Sequence, residues 1–302
     1  MKQHTVPRSY LARWCDPSTP AGQEPYIWIF AKEKRQGKKR APHKAFRKTH
    51  FYTDKRPSAA DRLWLEKGLG KVEGGLAAVT DRVVTQGIPL SVDNKGAIAA
   101  FAATMFVRTP QYEQHIRSQW EPVLALGNEM VARAKEMTPQ QLKTFSSPIS
   151  GSGPSLSMEQ VEQIVEHPLQ SSIKGLMAGM LRVLMLMKCR ILYTANAPGF
   201  ITSDAPCVVF DPDWWKMPPM YRGGLASRTV EVTVPLSPNF AALFAWQLDN
   251  DLHYLEVPDA AVDEVNRQTR FSCDKQFVVC QNETRDHWFD PGQPPPGIEM
   301  TT

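Results

Sequence analysis

The chain has 302 residues, with 35 Lys and Arg against 31 Asp and Glu (formal charge +4), 42% hydrophobic residues and 25 prolines scattered over many loops. Single cores usually stop growing above about 250 residues, so this length admits one large domain or two modest ones, and the apolar content excludes a wholly disordered chain. Five cysteines (Cys15, Cys189, Cys207, Cys273, Cys280) with no CxxC pair exclude a disulfide framework and a structural zinc site, and are read as small buried hydrophobes.

The opening MKQHTVPRSYLARWC has no apolar run long enough for a signal-peptide core, which points to a cytoplasmic protein. It reads as a short extended piece followed by a helical turn from Ser9. PYIWIFAKEK alternates and is rich in aromatic and β-branched residues, the mark of a strand. The segment Lys32 to Lys48 follows, with nine Lys and Arg against one Glu, so the remainder of the chain is net acidic. THFYT then reads as a returning strand, which would make a hairpin with a long basic tip.

From Ser58, expected to cap, the period becomes helical: Leu65, Leu69, Val72, Leu76 and Val79 recur until Gly87 and Pro89 stop the pattern. A second helix runs from Asp93, and Pro110 either kinks it or opens its successor, which continues to Met137. SSPISGSGPSLS, residues 146–157, is the candidate mobile loop. MEQVEQIVEH reads as an exposed helix. IKGLMAGMLRVLMLMKCRILYT reads as a buried one, because Lys174, Arg182, Lys188 and Arg190 interrupt it and a membrane span needs roughly 20 mostly apolar residues. No membrane partner is expected. The chain then turns to short strands at GFITSD, PCVVFD, RTVEVTVPLS, FAALFAWQ and LHYLEV, a helix from Asp259 to Arg270, and a last strand QFVVCQ.

The fold class this predicts is α+β. A helical middle (58–195) packs on a mixed or antiparallel sheet formed largely by the C-terminal third (196–285), to which the N-terminal hairpin (1–57) contributes. Residues 286–302 are expected to be a flexible tail, and the whole of 1–302 is read as one domain.

Several separated segments carry a family resemblance. They are His4, Pro7, Tyr10, Leu11 and Trp14; the Phe51-Tyr52 pair; a helical glutamate that is either Glu73 or Glu66; Arg108-Thr109-Pro110; Phe200-Ile-Thr-Ser-Asp204 with Pro206; Pro235-Leu-Ser-Pro238; and Asn266 in a late helix. Together they resemble the uncharacterised bacterial family known as domain of unknown function 4238, Ala205 standing where that family often has Asn. The resemblance implies common ancestry and fold over nearly the whole chain and brings no established activity with it.

Chemistry must therefore come from the residues. His4, Glu73, Arg108, Ser203, Asp204 and Asn266 are polar residues inside otherwise apolar or turn-forming segments, where they either satisfy buried groups or line a site. The structural alternative for each is specific: Asp204 caps a turn, Asn266 bonds backbone, and Arg108 pairs with Glu73. Taken as a catalytic set they supply a general base or acid, carboxylates, a fixed cation and an amide, the parts for hydrolysing a phosphodiester, with a divalent metal as a possible addition.

The basic residues Lys34, Arg35, Lys38, Lys39, Arg40, Lys44, Arg47 and Lys48 form the usual electrostatic footprint for a phosphate backbone. Tyr26, Trp28, Phe30, Phe46, Phe51 and Tyr52 lie alongside to stack bases. The alternative is a solvated hairpin tip. Arg108 and His115 have the Arg-x6-His spacing of some helical RNases, with Pro110 between them. Asp211 and Asp213 are read as a solvent-facing turn. No HExxH, zinc-deaminase, Gly-rich phosphate-loop or GxSxG pattern is present, so no nucleotide cofactor is expected. The sequence thus points to a hydrolase acting on RNA or DNA, in a phage-defence or toxin setting, with a non-enzymatic nucleic-acid- or partner-binding protein of a defence or toxin–antitoxin system as the alternative.

Overall fold

The computed structural model describes residues 2–56, 60–145, 156–213, 224–248 and 252–291. The chain begins with β1 (Lys2–His4) and a helical turn α1 (Arg8–Leu11). Then come β2 (Ile27–Ala31), β3 (Gly37–Arg40) and β4 (Arg47–Thr49). β3 pairs with β2, Ile27 opposite Arg40 and Phe30 opposite Gly37, while β4 pairs with β1. The basic stretch is therefore itself a strand where a hairpin tip was expected, and the returning strand belongs to a separate two-stranded ladder. Phe46 and His50, at φ 47° and 53°, bracket β4 with left-handed turns that redirect the chain, so Phe51 and Tyr52 fall beyond the strand.

The helical middle consists of α2 (Trp64–Arg82), α3 (Val92–Val107), α4 (Pro110–Glu136), α5 (Pro139–Phe145), α6 (Met158–Glu166) and α7 (Pro168–Leu186). α2 is a helix despite its glycines because Leu65, Leu69, Leu76 and Val79 bury one face, and packing outweighs propensity. The expected cap Ser58 lies outside the described residues, as do residues 146–155 of the expected mobile loop. Ser91 caps α3 by accepting from the Asn94 N–H at 3.1 Å. Pro110 opens α4 as its first residue, with the Thr109 hydroxyl accepting from the Tyr112 N–H, so the proline starts a helix and kinks none.

The apolar run after Ile173 is not one helix. It ends at Leu186, and Lys188–Tyr193 forms strand β5, paired along its length with β9 (Phe240–Ala245). No glycine or proline marks the change. The edge offered by β9 decides it, which a local pattern cannot show.

β6 (Thr202–Ser203), β7 (Val208–Phe210), β8 (Glu231–Ser237), β10 (Tyr254–Glu256), α8 (Asp259–Ser272) and β11 (Gln276–Val279) complete the fold. One five-stranded sheet has the order β10-β5-β9-β8-β7, with only β10 and β5 parallel. A four-stranded antiparallel sheet, β3-β2-β11-β6, interleaves N- and C-terminal strands, as the flanking β-rich ends implied. The fold is mixed α+β.

The main core lies between these sheets and the helices α2, α3 and α7, and contains Tyr10, Trp14, Phe101, Leu184, Val234, Phe244 and Val278. Gly199 is required where the FITSD segment begins. At φ +69° it packs so closely on Pro238 that a Cβ would sit 2.0 Å from the Pro238 carbonyl oxygen.

Residue 286 does not begin a flexible tail. Asp286–Phe289 forms a 3-10 turn whose Trp288 is completely buried against Phe30, Ile201, Phe277 and Val279, its indole N–H donating to Asp263 at 2.8 Å. Residues 292–302 lie outside the described residues. Trp288→Ala should lower unfolding free energy by about 3–5 kcal/mol, read as a lower urea midpoint.

Candidate functional site

Arg108 sits at the C-terminal end of α3 with 2% of its surface exposed. A buried guanidinium must spend its N–H groups on partners, and this one does so on three separate parts of the chain. Its Nη1 donates to Glu73 of α2 at 2.7 Å, its Nη2 to the His4 carbonyl of β1 at 2.7 Å, and its Nε to the Tyr52 hydroxyl at 3.0 Å. Burial opposes its charge, and the Tyr52 and Glu73 interactions outweigh that, raising its pKa. Gln3 completes the arrangement by accepting from the Tyr52 N–H at 2.7 Å and donating to Glu66 at 2.8 Å.

These residues open on a cleft of about 430 Å³ lined by His4, Tyr52, Glu66, Gly70, Glu73 and Arg108, among others. Glu66 and Glu73 are two turns apart on one face of α2, so the choice left open by the sequence does not arise: both face the cleft. Gly70 between them leaves space where a side chain would fill it.

His4 is half-buried. Its Nε2 lies 3.2 Å from the His43 carbonyl, which can only accept, so Nε2 carries the proton and the neutral ring keeps its lone pair on Nδ1. Burial lowers its pKa, and the Arg47 and Arg108 charges push the same way, against the His43 carbonyl and Glu73. His4 is thus neutral near pH 7.

Ser203, Asp204 and Asn266 do not line this cleft and share no described hydrogen bond with it. Asn266, fully buried, accepts from the Ile201 N–H and donates to the Gly199 carbonyl, both at 2.9 Å. Ser203 accepts from the Ala205 N–H at 3.1 Å. Asp204 accepts the backbone N–H groups of Asp274, Lys275 and Gln276 at 2.8, 2.8 and 3.0 Å. Burial raises its pKa while those three donors lower it. Together these bonds fix an irregular segment between α8 and β11.

The other pairings suggested by spacing do not form. His115 is exposed on α4 while Arg108 points into the core. Asp211, expected in a solvent-facing turn, is buried and accepts from Thr229 Oγ1 at 2.7 Å and the Asp213 N–H at 3.0 Å. Among the described residues no group of three or more His, Cys, Asp or Glu side chains is placed to hold a metal ion.

Lys34, Arg35, Lys38, Lys39, Arg40, Lys44, Arg47 and Lys48 are all exposed, on β3, β4 and the segments around them. Along β3 they alternate, Lys39 lying over Trp28 and Lys38 and Arg40 on the other side, and Arg35 pairs with Asp286, so the basic face is the one Arg40 shares with Lys44 and Arg47. Lysines on an edge strand also discourage strand pairing between copies, the structural alternative for β3. Lys2, Arg40, Lys44 and Arg47 nevertheless converge, with Phe46, Thr49 and Gln276, on a cavity of about 310 Å³ that no acidic side chain among the described residues lines. Lys44 makes one long ion pair, 3.7 Å to Glu24. Phe30 and Tyr52 are buried and cannot stack a base, and Lys39 already covers the rings of Tyr26 and Trp28. Lys2, Gln3 and Gln276 carry no signal in the sequence, whereas Glu66 is there as the alternative to Glu73, and the two-turn spacing between them puts both on one side of α2.

Fold and site together define an α+β protein with a polar cleft between its first strand and its helical middle. The model of the family described as "protein of unknown function (DUF4238)" matches residues 2–284, and the chain belongs to that family. No curated protein and no solved structure matches the chain. Among the described residues no helix is long and apolar enough to cross a membrane.

Two measurements check this site. By NMR the His4 imidazole should titrate below 6.5, and Arg47→Gln should move it upward. The corresponding stability is complete above 6.5 and declines as pH falls from there through the lowered folded value, because the unfolded chain takes up the proton first. Asp204→Asn turns one acceptor into a donor facing N–H groups and should cost about 1–3 kcal/mol in urea unfolding.

Proposed function

We propose that this protein is a hydrolase of nucleic-acid phosphodiesters, with the basic face holding the backbone and His4 acting as general base. The observation that carries this reading is the β1–β4 ladder, which sets His4 directly opposite Arg47 and so puts a neutral imidazole at the border of the basic face and the polar cleft. An attacking water would lose its proton to Nδ1 as its oxygen bonds to phosphorus. The P–O bond to the leaving group breaks, and that oxygen takes a proton from solvent. Arg47 is the cation nearest this route that can offset developing negative charge. Arg108, itself held by Glu73, acts through His4 by fixing its backbone carbonyl, and Asp204, Ser203 and Asn266 support the fold around the basic face.

Arg108 has each guanidinium nitrogen engaged inside the protein, which favours the second reading, a nucleic-acid- or partner-binding protein without turnover. The two separate in one experiment. Binding to labelled nucleic acid should weaken steeply with salt, with a log–log slope of about −0.7 per phosphate on single strands and −0.9 on duplex. Replacing Lys38, Lys39 and Arg40 with Ala should weaken binding and flatten that slope without unfolding the protein. His4→Ala should leave binding in place and reduce cleavage about 10²-fold or more, and the wild-type rate should rise with pH through the His4 titration to a plateau. Salt-dependent binding with no cleavage by the wild type decides for the binding protein. Salt-independent binding removes both readings.

A further inference from the structure

The cavity on the basic face has features that a surface for duplex backbone does not need. It is concave, about 310 Å³, and combines four cations (Lys2, Arg40, Lys44, Arg47) with one half-buried ring, Phe46. Phe46 is held in an unusual conformation. Its φ is +47°, and its carbonyl accepts from both the Thr5 N–H at 2.8 Å and the Thr5 hydroxyl at 3.0 Å. A non-glycine residue in the left-handed region costs free energy unless the surroundings enforce it, and here the Thr5 bonds fix the backbone of Phe46 at the cavity while its side chain packs partly against the main core. The other aromatic residues near the basic segment are buried, covered by lysine or outside the cavity, as Phe51 is beneath Lys48 at 4.7 Å.

Gln276, the first residue of β11, also lines the cavity. Its backbone N–H donates to Asp204 and its carbonyl accepts from the Asp204 N–H at 3.0 Å. Asp204, remote from the His4 cleft by its bonding, thereby fixes the main chain of a residue whose neutral amide can bond a base edge at the cationic cavity without adding charge.

We infer that this cavity is a subsite for one unstacked nucleotide of a single strand, its phosphate on Arg40, Lys44 and Arg47 and its base on the Phe46 ring, with Gln276 at the base edge and Asp204 as a positioning residue. This rests on the nucleic-acid reading above and narrows it. Bases paired in a duplex present no free face to a ring, whereas every unstacked base does.

The test uses the full chain and fluorescence anisotropy with two phosphorothioate probes of equal phosphate count, an oligothymidylate and a hairpin duplex. The single strand should bind about tenfold more tightly. Phe46→Leu, which keeps an apolar side chain at the left-handed position, should weaken single-strand binding about tenfold and leave duplex binding and melting temperature nearly unchanged. Phe46→Tyr should restore single-strand binding. Asp204→Glu, if folded by circular dichroism, should lower the single-strand preference while the salt slope holds. Equal affinity for the two probes, or a Phe46→Leu protein that binds both as the wild type does, overturns this inference and leaves the nucleic-acid reading standing. Salt-insensitive binding to the single strand, or no binding to both probes, overturns both.

Discussion

A guanidinium taken almost completely out of water is the constraint on which the N-terminal half depends. Arg108 lies where α3 ends, and its desolvation is tolerable only because Glu73, the Tyr52 hydroxyl and the His4 carbonyl all meet it. That requirement ties the first strand, which has no core of its own, to two helices. It sets the register in which His4 meets Arg47, and it leaves the Glu66–Glu73 face of α2 open as one side of a cleft. A salt bridge of this kind contributes more to arrangement than to net stability, since a well-packed apolar replacement would also fill the space.

A second polar centre does the same for the C-terminal half by other means. The segment from Gly199 to Pro206 is mostly irregular yet buried, so its backbone groups need partners that no ladder provides. Asn266 supplies a donor and an acceptor, Trp14 donates to the Phe200 carbonyl, Tyr10 bonds both Thr202 and the Pro235 carbonyl, and Asp204 collects three N–H groups of the turn into β11. The two centres meet at the basic face. β1 and β4 reach it from the Arg108 side and Gln276 from the Asp204 side, so segments far apart in sequence build one cavity.

This organisation explains how the family-like residues divide. His4, Tyr52, Glu66, Glu73 and Arg108 surround an open cleft, whereas Ser203, Asp204 and Asn266 satisfy backbone. A single set converging on one pocket, the arrangement the sequence pointed to, is thus two sets with different work. The structural alternatives weighed for Asp204, Asn266 and Arg108 describe the bonds these residues make, although Arg108 makes them at the edge of a cleft.

By itself the sequence determined the helical middle, the short C-terminal strands, the sharing of a sheet by the two ends and the clustering of positive charge. Each of these follows from local periodicity, turn residues or composition, which act over a few residues. It also named most of the cleft, because polar residues inside apolar segments stand out in one dimension. Only the tertiary structure decided that Lys188–Tyr193 leaves its helix to pair with β9, that the basic segment is a strand and not a loop tip, and that Trp288 docks instead of trailing in a tail. It alone separated Asp204 from His4 and set Lys2 and Gln276 beside Arg47. These outcomes depend on which edge, cavity or unpaired backbone group lies opposite a residue once the chain is closed, and hydrogen bonds and burial between residues dozens to hundreds of positions apart leave no periodic trace.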